Sequence, residues 1–444
     1  MVLMHLTDTE RVLLSGSSGP VLAEAMDYLV QFGEAFDAPR LADISYCHYP
    51  AEMAIYEGSV EDLVDYAAKC RANGVDAIGA MGASRFGDEN AGARVRVPTT
   101  TSTLCCDLER PDCTGCPAAL ARSQARVETA HRALGILETY TCTPQLLGFV
   151  PPFGSVIASV ESSAIIYFNS VLGARTNRGG LFTRYSAMTG KYPLMGYLLS
   201  ENRRGTHHFH VDIPPEKLST YDAWCALGFH IGSIVGSEVP VITGVRTARQ
   251  DFLIGFGAAL ATSGSVTLFH MVGVTPEART TEEAFQGKPP AETIEVTERD
   301  LNVVRDRLTT ILSGAPIDFV TLGCPHYNLA QIKHVAQRLR GRRVADGVRF
   351  WICTNRMTRK QAEYSGYASA IEAAGAVLVA DTCPVESHMR QSTCREYGLP
   401  VPNVAAMVTD SAKMARYVGD LIGCKTALAA TDACIEAAVA GRRQ

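Results

Sequence analysis

Residues 318–355 read DFVTLGCPHYNLAQIKHVAQRLRGRRVADGVRFWICTN. An apolar run of strand length, Asp318–Leu322, leads into NLAQIKHVAQRLRG, whose apolar residues recur at helical spacing, and then into a second run, Val348–Cys353. The pattern continues with TRKQAEYSGYASAIEAAG as a helix, Ala376–Ala380 as a third strand and Val404–Val408 as a fourth. Strands alternating with helices of this length predict βαβ units around a parallel sheet. Ligands of such sheets collect beyond the carboxyl ends of the strands. The segments found there are GCPHYN, TNRMT, DTCPV and TDSAK, so Cys324, Cys353, Cys383 and Lys413 fall at or just past strand ends.

Upstream, Gly19-Pro20 opens the amphipathic run VLAEAMDYLVQF, and Pro suits the first turn of a helix. SVEDLVDYAAKC begins with Ser59 and Asp62 at capping-box spacing. A Gly-rich stretch, residues 79–93, reads as a loop before a β-like segment, Arg94–Pro98. Without a Gly/Ser-rich or Pro-rich linker or an internal repeat, the chain reads as one α/β body over 1–444, with lobes 1–300 and 301–444.

The 444 residues carry 41 Lys+Arg against 46 Asp+Glu, a net charge of −5 that lacks the broad positive field of nonspecific nucleic-acid binders. The N-terminus does not read as a secretory signal, and no run of about 18 apolar residues predicts a membrane span. The expectation is a cytoplasmic protein, in which the 14 cysteines are buried thiols, metal ligands or catalytic groups rather than disulfides.

Three constellations stand out. Cys105-Cys106 with Cys113-x-x-Cys116 has thiolates at metal-binding spacing, so zinc at Cys113 and Cys116, or a second cluster, stands beside the plainer reading of a Cys-rich loop. In a strand, His208 and His210 of HHFH share a face, but no third ligand is nearby in sequence. Residues 142–180, CTPQLLGFVPPFGSVIASVESSAIIYFNSVLGARTNRGG, embed polar groups in an apolar region, where they must find partners or serve a site. Arg175 and Arg178 could hold a carboxylate by forked hydrogen bonds, or be solvated helix-end arginines. No Walker A loop, complete dinucleotide fingerprint or G-x-S-x-G elbow is present.

Taken in order, ESSAIIYFNSVLGARTNRGG, GYLLSENRR, GCPH, DTCPV and DSAKMARY resemble the large, catalytic portion of the aconitase X family across essentially the whole chain. The resemblance implies an aconitase-like catalytic body and a hydro-lyase whose iron–sulfur cluster is held by Cys142, Cys324 and Cys383; Cys353 is not required. It implies that Glu161 and Ser162 orient substrate or approach the open iron. Lys413 would neutralise a substrate carboxylate or stabilise enolate charge.

The family's two described substrates are cis-3-hydroxy-L-proline and mevalonate 5-phosphate. The phosphate-using branch has H-V-S-G-V-S where this chain has HYPAEM, His48 to Met53, with Pro50 and Glu52 in place of anion-binding backbone. That branch also has Asn-Pro after its Thr run, where this chain carries Ser102 and Thr103. Both departures point to a small hydroxy amino acid, cis-3-hydroxy-L-proline, bound by His48, Glu52, Ser102, Thr103, Arg175 and Arg178. The alternatives are mevalonate 5-phosphate dehydration or a non-catalytic metal-binding homologue. Family members carry a small swivelling domain or use a small subunit that supplies a serine base. Assigning the α/β body uses up this chain, so the expectation is a swivel-domain partner subunit.

Overall fold

The computed structural model describes residues 3–49, 94–180, 182–396 and 401–444. The helix expected from Ser59 and the Gly-rich stretch 79–93 lie outside them, as does Glu52. The chain forms two compact units. One comprises Met1–Tyr140, Phe149–Glu161 and Ala174–Arg203; the other comprises Thr141–Gly148, Ser162–Gly173 and Arg204–Gln444.

In the first unit, the helix Pro20–Ala35 starts at Pro20 as its sequence predicts, and buries Ala25, Met26 and Leu29. β1 (Leu41–Asp43) pairs antiparallel with a later strand, Lys191–Pro193. β2 (Tyr46–Tyr49) is the centre of a parallel sheet, flanked by β3 (Thr99–Thr101) and β4 (Ile157–Ser159). The strand expected at Arg94–Pro98 does not form. Val95 N–H donates to the Leu134 carbonyl (3.0 Å) and Arg96 N–H to that of Ala187 (2.8 Å), so the ladder begins only at Thr99. The partner of β1 is β5 (Lys191–Pro193).

The second unit has two parallel sheets. The smaller orders its strands as β8 (His270–Met271), β7 (Pro240–Thr243), β6 (His207–Asp212) and β9 (Thr293–Thr297). Position 300, the lobe boundary suggested by sequence, falls in the helix Glu298–Arg307, between this sheet and the next. The larger sheet comprises β10 (Phe319–Leu322), β11 (Arg349–Thr354), β12 (Val377–Ala380), β13 (Ala406–Thr409) and β14 (Lys425–Leu428), in the order β12-β11-β10-β13-β14, all parallel. The four expected strands are β10 to β13. Asn328 and Asn355 cap the helices that follow β10 and β11 by accepting from the backbone N–H groups of Gln331 and Thr358. The helical run after β11 is two helices, Arg356–Tyr364 and Tyr367–Ala373, because Gly366 between them is left-handed (φ +74°). From β10 the chain winds one way to β11 and β12, and β13 and β14 lie on its other side. The carboxyl ends of β10 and β13 therefore flank a topological switch point.

Candidate active site

The second unit gathers the three expected cysteines. Cys324 follows β10 through Gly323, whose φ is +91° and whose Cβ, if it had one, would stand 2.1 Å from the Cys353 carbonyl. Only glycine lets the chain turn there. Cys383 follows β12 through Asp381, whose carboxylate accepts from Arg356 N–H (2.7 Å) and Arg356 Nε (2.6 Å). Cys142 lies on the excursion Thr141–Gly148.

His326, two residues past Cys324, ties these segments together. Its backbone N–H donates to Cys142 Sγ (3.2 Å), its Nδ1 meets Thr141 Oγ1 (3.1 Å), and its Nε2 meets the Thr382 carbonyl (3.2 Å). A carbonyl only accepts, so Nε2 carries the proton. The GCPH motif held this residue in plain view, yet nothing in its spacing announced partners 185 and 56 residues away.

The Cys383 thiol is pushed well above the usual range, first by burial and then by Cys324, Glu386, Cys353 and Cys142. Cys142, Cys324 and Cys383 are all buried. Among the described residues, no three His, Cys, Asp or Glu side chains are spaced to hold a single metal ion. Thiolates sharing one zinc stand about 3.8 Å apart, as Zn–S bonds near 2.3 Å require. Three thiolates are the donor type that iron–sulfur clusters take, as they are for zinc.

Beyond β13, Asp410 is pushed up to about 7, chiefly by burial, and accepts hydrogen bonds from Tyr327 and Thr431. Ser411 caps the next helix by accepting from Met414 N–H (3.2 Å). Lys413, in its first turn, is buried and donates from Nζ to Ser163 Oγ at 2.9 Å. Ser163, which takes this hydrogen bond, is 1% exposed, and Ser162, expected to orient substrate, is half-buried. The ESS triplet carried both serines and no signal to choose between them.

In the first unit, the remaining expected residues fall on the carboxyl ends of the three parallel strands: His48 on β2, Ser102 and Thr103 past β3, and Glu161 past β4. His48 pairs in register with Thr100 on one side and Ser159 on the other. Residues in register across a sheet point to the same side, so His48, Thr100 and Ser159 share one face. His48 is fully buried; its Nδ1 meets Thr100 Oγ1 at 2.9 Å, and Thr100 also bonds Tyr46. Burial pushes its pKa down to about 4 and outweighs the opposing pull of Glu161, so the ring is neutral. His48 Nε2 and Ser159 Oγ are buried without hydrogen-bond partners among the described residues. Ser102 and Thr103 are buried, and Ser102 N–H donates to the Tyr49 carbonyl (2.9 Å). The Arg175 guanidinium donates to the Leu198 carbonyl (2.7 Å), whereas Arg178 is exposed.

The other two motifs are accounted for locally. Cys105 and Cys106 are fully buried, and Cys106 is raised by hydrogen bonding to Cys105 ahead of burial. Cys113, one of the two cysteines at which zinc was expected, is half-buried, and Cys116 is buried and hydrogen-bonded to Cys106. His208 Nε2 and His210 Nδ1 both bond the Thr243 hydroxyl, at 2.9 and 3.1 Å, and form no metal site. No helix of the described residues is long and apolar enough to cross a membrane.

Sequence models of the Aconitase X first, second and third domains match residues 3–201, 205–306 and 317–440. The chain is 36% identical to the phosphomevalonate dehydratase large subunit of Methanothermobacter thermautotrophicus, over 95% of each chain. It is 35% identical to the cis-3-hydroxy-L-proline dehydratase of Pseudomonas aeruginosa, over 98% of this chain and 70% of that one. Among solved structures, the holo form of Thermococcus kodakaraensis aconitase X superposes with a TM-score of 0.78 at 29% identity, covering 98% of this chain and 100% of that one. The chain belongs to the aconitase X family of hydro-lyases.

Proposed function

We propose that this chain is the large subunit of an iron–sulfur-dependent dehydratase that removes water from cis-3-hydroxy-L-proline to give a pyrroline carboxylate. The observation that carries the cofactor reading is the His326 bracket, which ties the Cys142 and Cys383 segments to the one bearing Cys324. Those three cysteines would hold the cluster. When bound, it supplies a Lewis acid for the departing hydroxyl at an iron that lacks a protein thiolate.

The protein's own groups do the rest. Lys413 and Ser163 form a buried amine–hydroxyl pair at the first turns of two helices, where partial positive charge suits a substrate carboxylate. Glu161 and Ser162, at the entry to the same helix, orient substrate. His48, Glu52, Ser102, Thr103, Arg175 and Arg178 are assigned to substrate binding.

Substrate choice rests on His48. A buried neutral imidazole brings no positive charge to a phosphate, and Glu52 in HYPAEM would repel one. Both are compatible with the secondary ammonium of an imino acid. Mevalonate 5-phosphate is the second reading, favoured by the 36% identity to a phosphomevalonate dehydratase large subunit.

A small swivel-domain subunit is the expected partner. The relatives named large subunits support it. The test is anaerobic reconstitution with iron and sulfide, with and without such a subunit, and NMR of cis-3-hydroxy-L-proline and mevalonate 5-phosphate incubations. Appearance of the cyclic imine supports the first reading. Turnover of the phosphate alone replaces it with the second.

A further inference from the structure

Two side chains beside the proposed cluster cysteines are buried with unused hydrogen-bonding capacity. Gln145 lies three residues past Cys142, in the turn Pro144–Leu147, and is 4% exposed. Among the described residues, neither its Oε1 nor its Nε2 has a hydrogen-bond partner. Thr382 immediately precedes Cys383 and is fully buried, and its Oγ1 has no partner among the described residues either. Native interiors satisfy the great majority of such groups, and each exception calls for an explanation.

Both lie where the chain has little freedom to rearrange. The Thr382 carbonyl is bonded by the His326 ring, and its neighbour Asp381 is held by Arg356. The Cys142 segment is held through Thr141 to the other nitrogen of the same ring, and Cys142 Sγ takes the His326 N–H. The two orphaned groups thus sit at the two ends of the bracket that assembles the thiols. An amide NH2 and a hydroxyl are both donors, and the group expected between these segments is an anion rich in sulfur acceptors. Hydrogen bonds to cluster sulfurs stabilise the more negative, reduced state and raise the reduction potential.

We infer that Gln145 and Thr382 are positioning residues that donate hydrogen bonds to the sulfur atoms of the iron–sulfur cluster. This rests on the cofactor reading above. It makes the two side chains a liability in the metal-free protein and an asset in the loaded one.

The test uses the full chain, metal-free and after anaerobic reconstitution with iron and sulfide, and compares Gln145→Met and Thr382→Val with wild type. Both substitutions nearly conserve volume and remove the donor. The expected result is a higher melting temperature than wild type in the metal-free form and a lower one in the loaded form. The reduction potential shifts to a more negative value, with iron content retained. Thr382→Ser, which keeps the hydroxyl, stays at the wild-type potential. Melting shifts of one sign in both forms, or none in either, with the cluster bound and its potential unmoved, overturn the inference alone. Failure of wild type to take up iron and sulfide overturns the cofactor reading and this inference with it.

Discussion

Replacing His326 tests whether one ring assembles the cysteine segments of the second unit. The residue is 2% exposed and makes two ring hydrogen bonds, at 3.1 Å to Thr141 Oγ1 and 3.2 Å to the Thr382 carbonyl. The two losses are unequal. Thr141 Oγ1 keeps its contacts with Thr143, both at 3.1 Å, so it forfeits only a net hydrogen bond of about 1 kcal/mol. The Thr382 carbonyl loses the ring N–H, and a buried acceptor left unpaired costs about 1–3 kcal/mol. His326→Leu should therefore destabilise the metal-free second unit by about 2–4 kcal/mol, or roughly 4–16 °C in melting temperature.

The asymmetry sharpens the prediction. Gln puts an NH2 near the position of Nε2 and Asn puts one near Nδ1. His326→Gln should keep most of the stability, while His326→Asn behaves more like Leu. Urea unfolding of the metal-free chain, with thiol alkylation at Cys142 and Cys383 as a second probe, measures both. Equal stability of the Gln and Asn variants, or a Leu variant within 0.5 kcal/mol of wild type (about the noise of surface substitutions), would refute the bracket.

Single Cys142→Ala, Cys324→Ala or Cys383→Ala substitutions should each abolish stoichiometric iron in reconstituted protein, while Cys353→Ala keeps it; iron and sulfide determination reads this directly. Lys413→Met should lower kcat by roughly 100-fold or more with iron content unchanged, and Ser163→Ala should cost more than Ser162→Ala; steady-state kinetics on whichever substrate turns over decides the order. His131 is fully buried with neither ring nitrogen partnered among the described residues, and burial pushes its pKa from 6.5 to about 4. Between those values the unfolded chain binds a proton that the folded one does not. Stability therefore falls as pH drops below 6.5, at about 1.4 kcal/mol per pH unit and about 3 kcal/mol in all. His131→Phe, which preserves ring contact with Tyr49 (5.4 Å) and Tyr140 (6.3 Å), should flatten the slope by that amount, whatever it does to stability at neutral pH. An unchanged slope in urea titrations from pH 7 to 4 would show that His131 is not held neutral.

Much of this was legible before any coordinates, for physical reasons. The strands of the larger sheet are buried on both faces, so they read as unbroken apolar runs bounded by turn residues. The crossover rule then put Cys324, Cys383 and Lys413 at the ligand end. Arg94–Pro98 misled because its alternation is that of a strand, while the Val95 and Arg96 N–H groups are taken by the Leu134 and Ala187 carbonyls of two helices distant in sequence. The division at Gly366 was hidden because an isolated glycine is tolerated inside a helical pattern. Long-range hydrogen bonds left no trace: the link from Lys413 to Ser163 spans 250 residues, and Thr100 and Ser159 join His48 only through strand register. Cys142 was identifiable only by family resemblance, since its turn has no strand end to mark it.

The most direct test of the account is anaerobic reconstitution of the full chain together with a small subunit, followed by iron and sulfide determination and NMR of the reaction with cis-3-hydroxy-L-proline. The account predicts a cluster that depends on Cys142, Cys324 and Cys383 and conversion of the imino acid to a cyclic imine. A cluster-free protein, or a loaded one that leaves cis-3-hydroxy-L-proline intact while dehydrating mevalonate 5-phosphate, would contradict it.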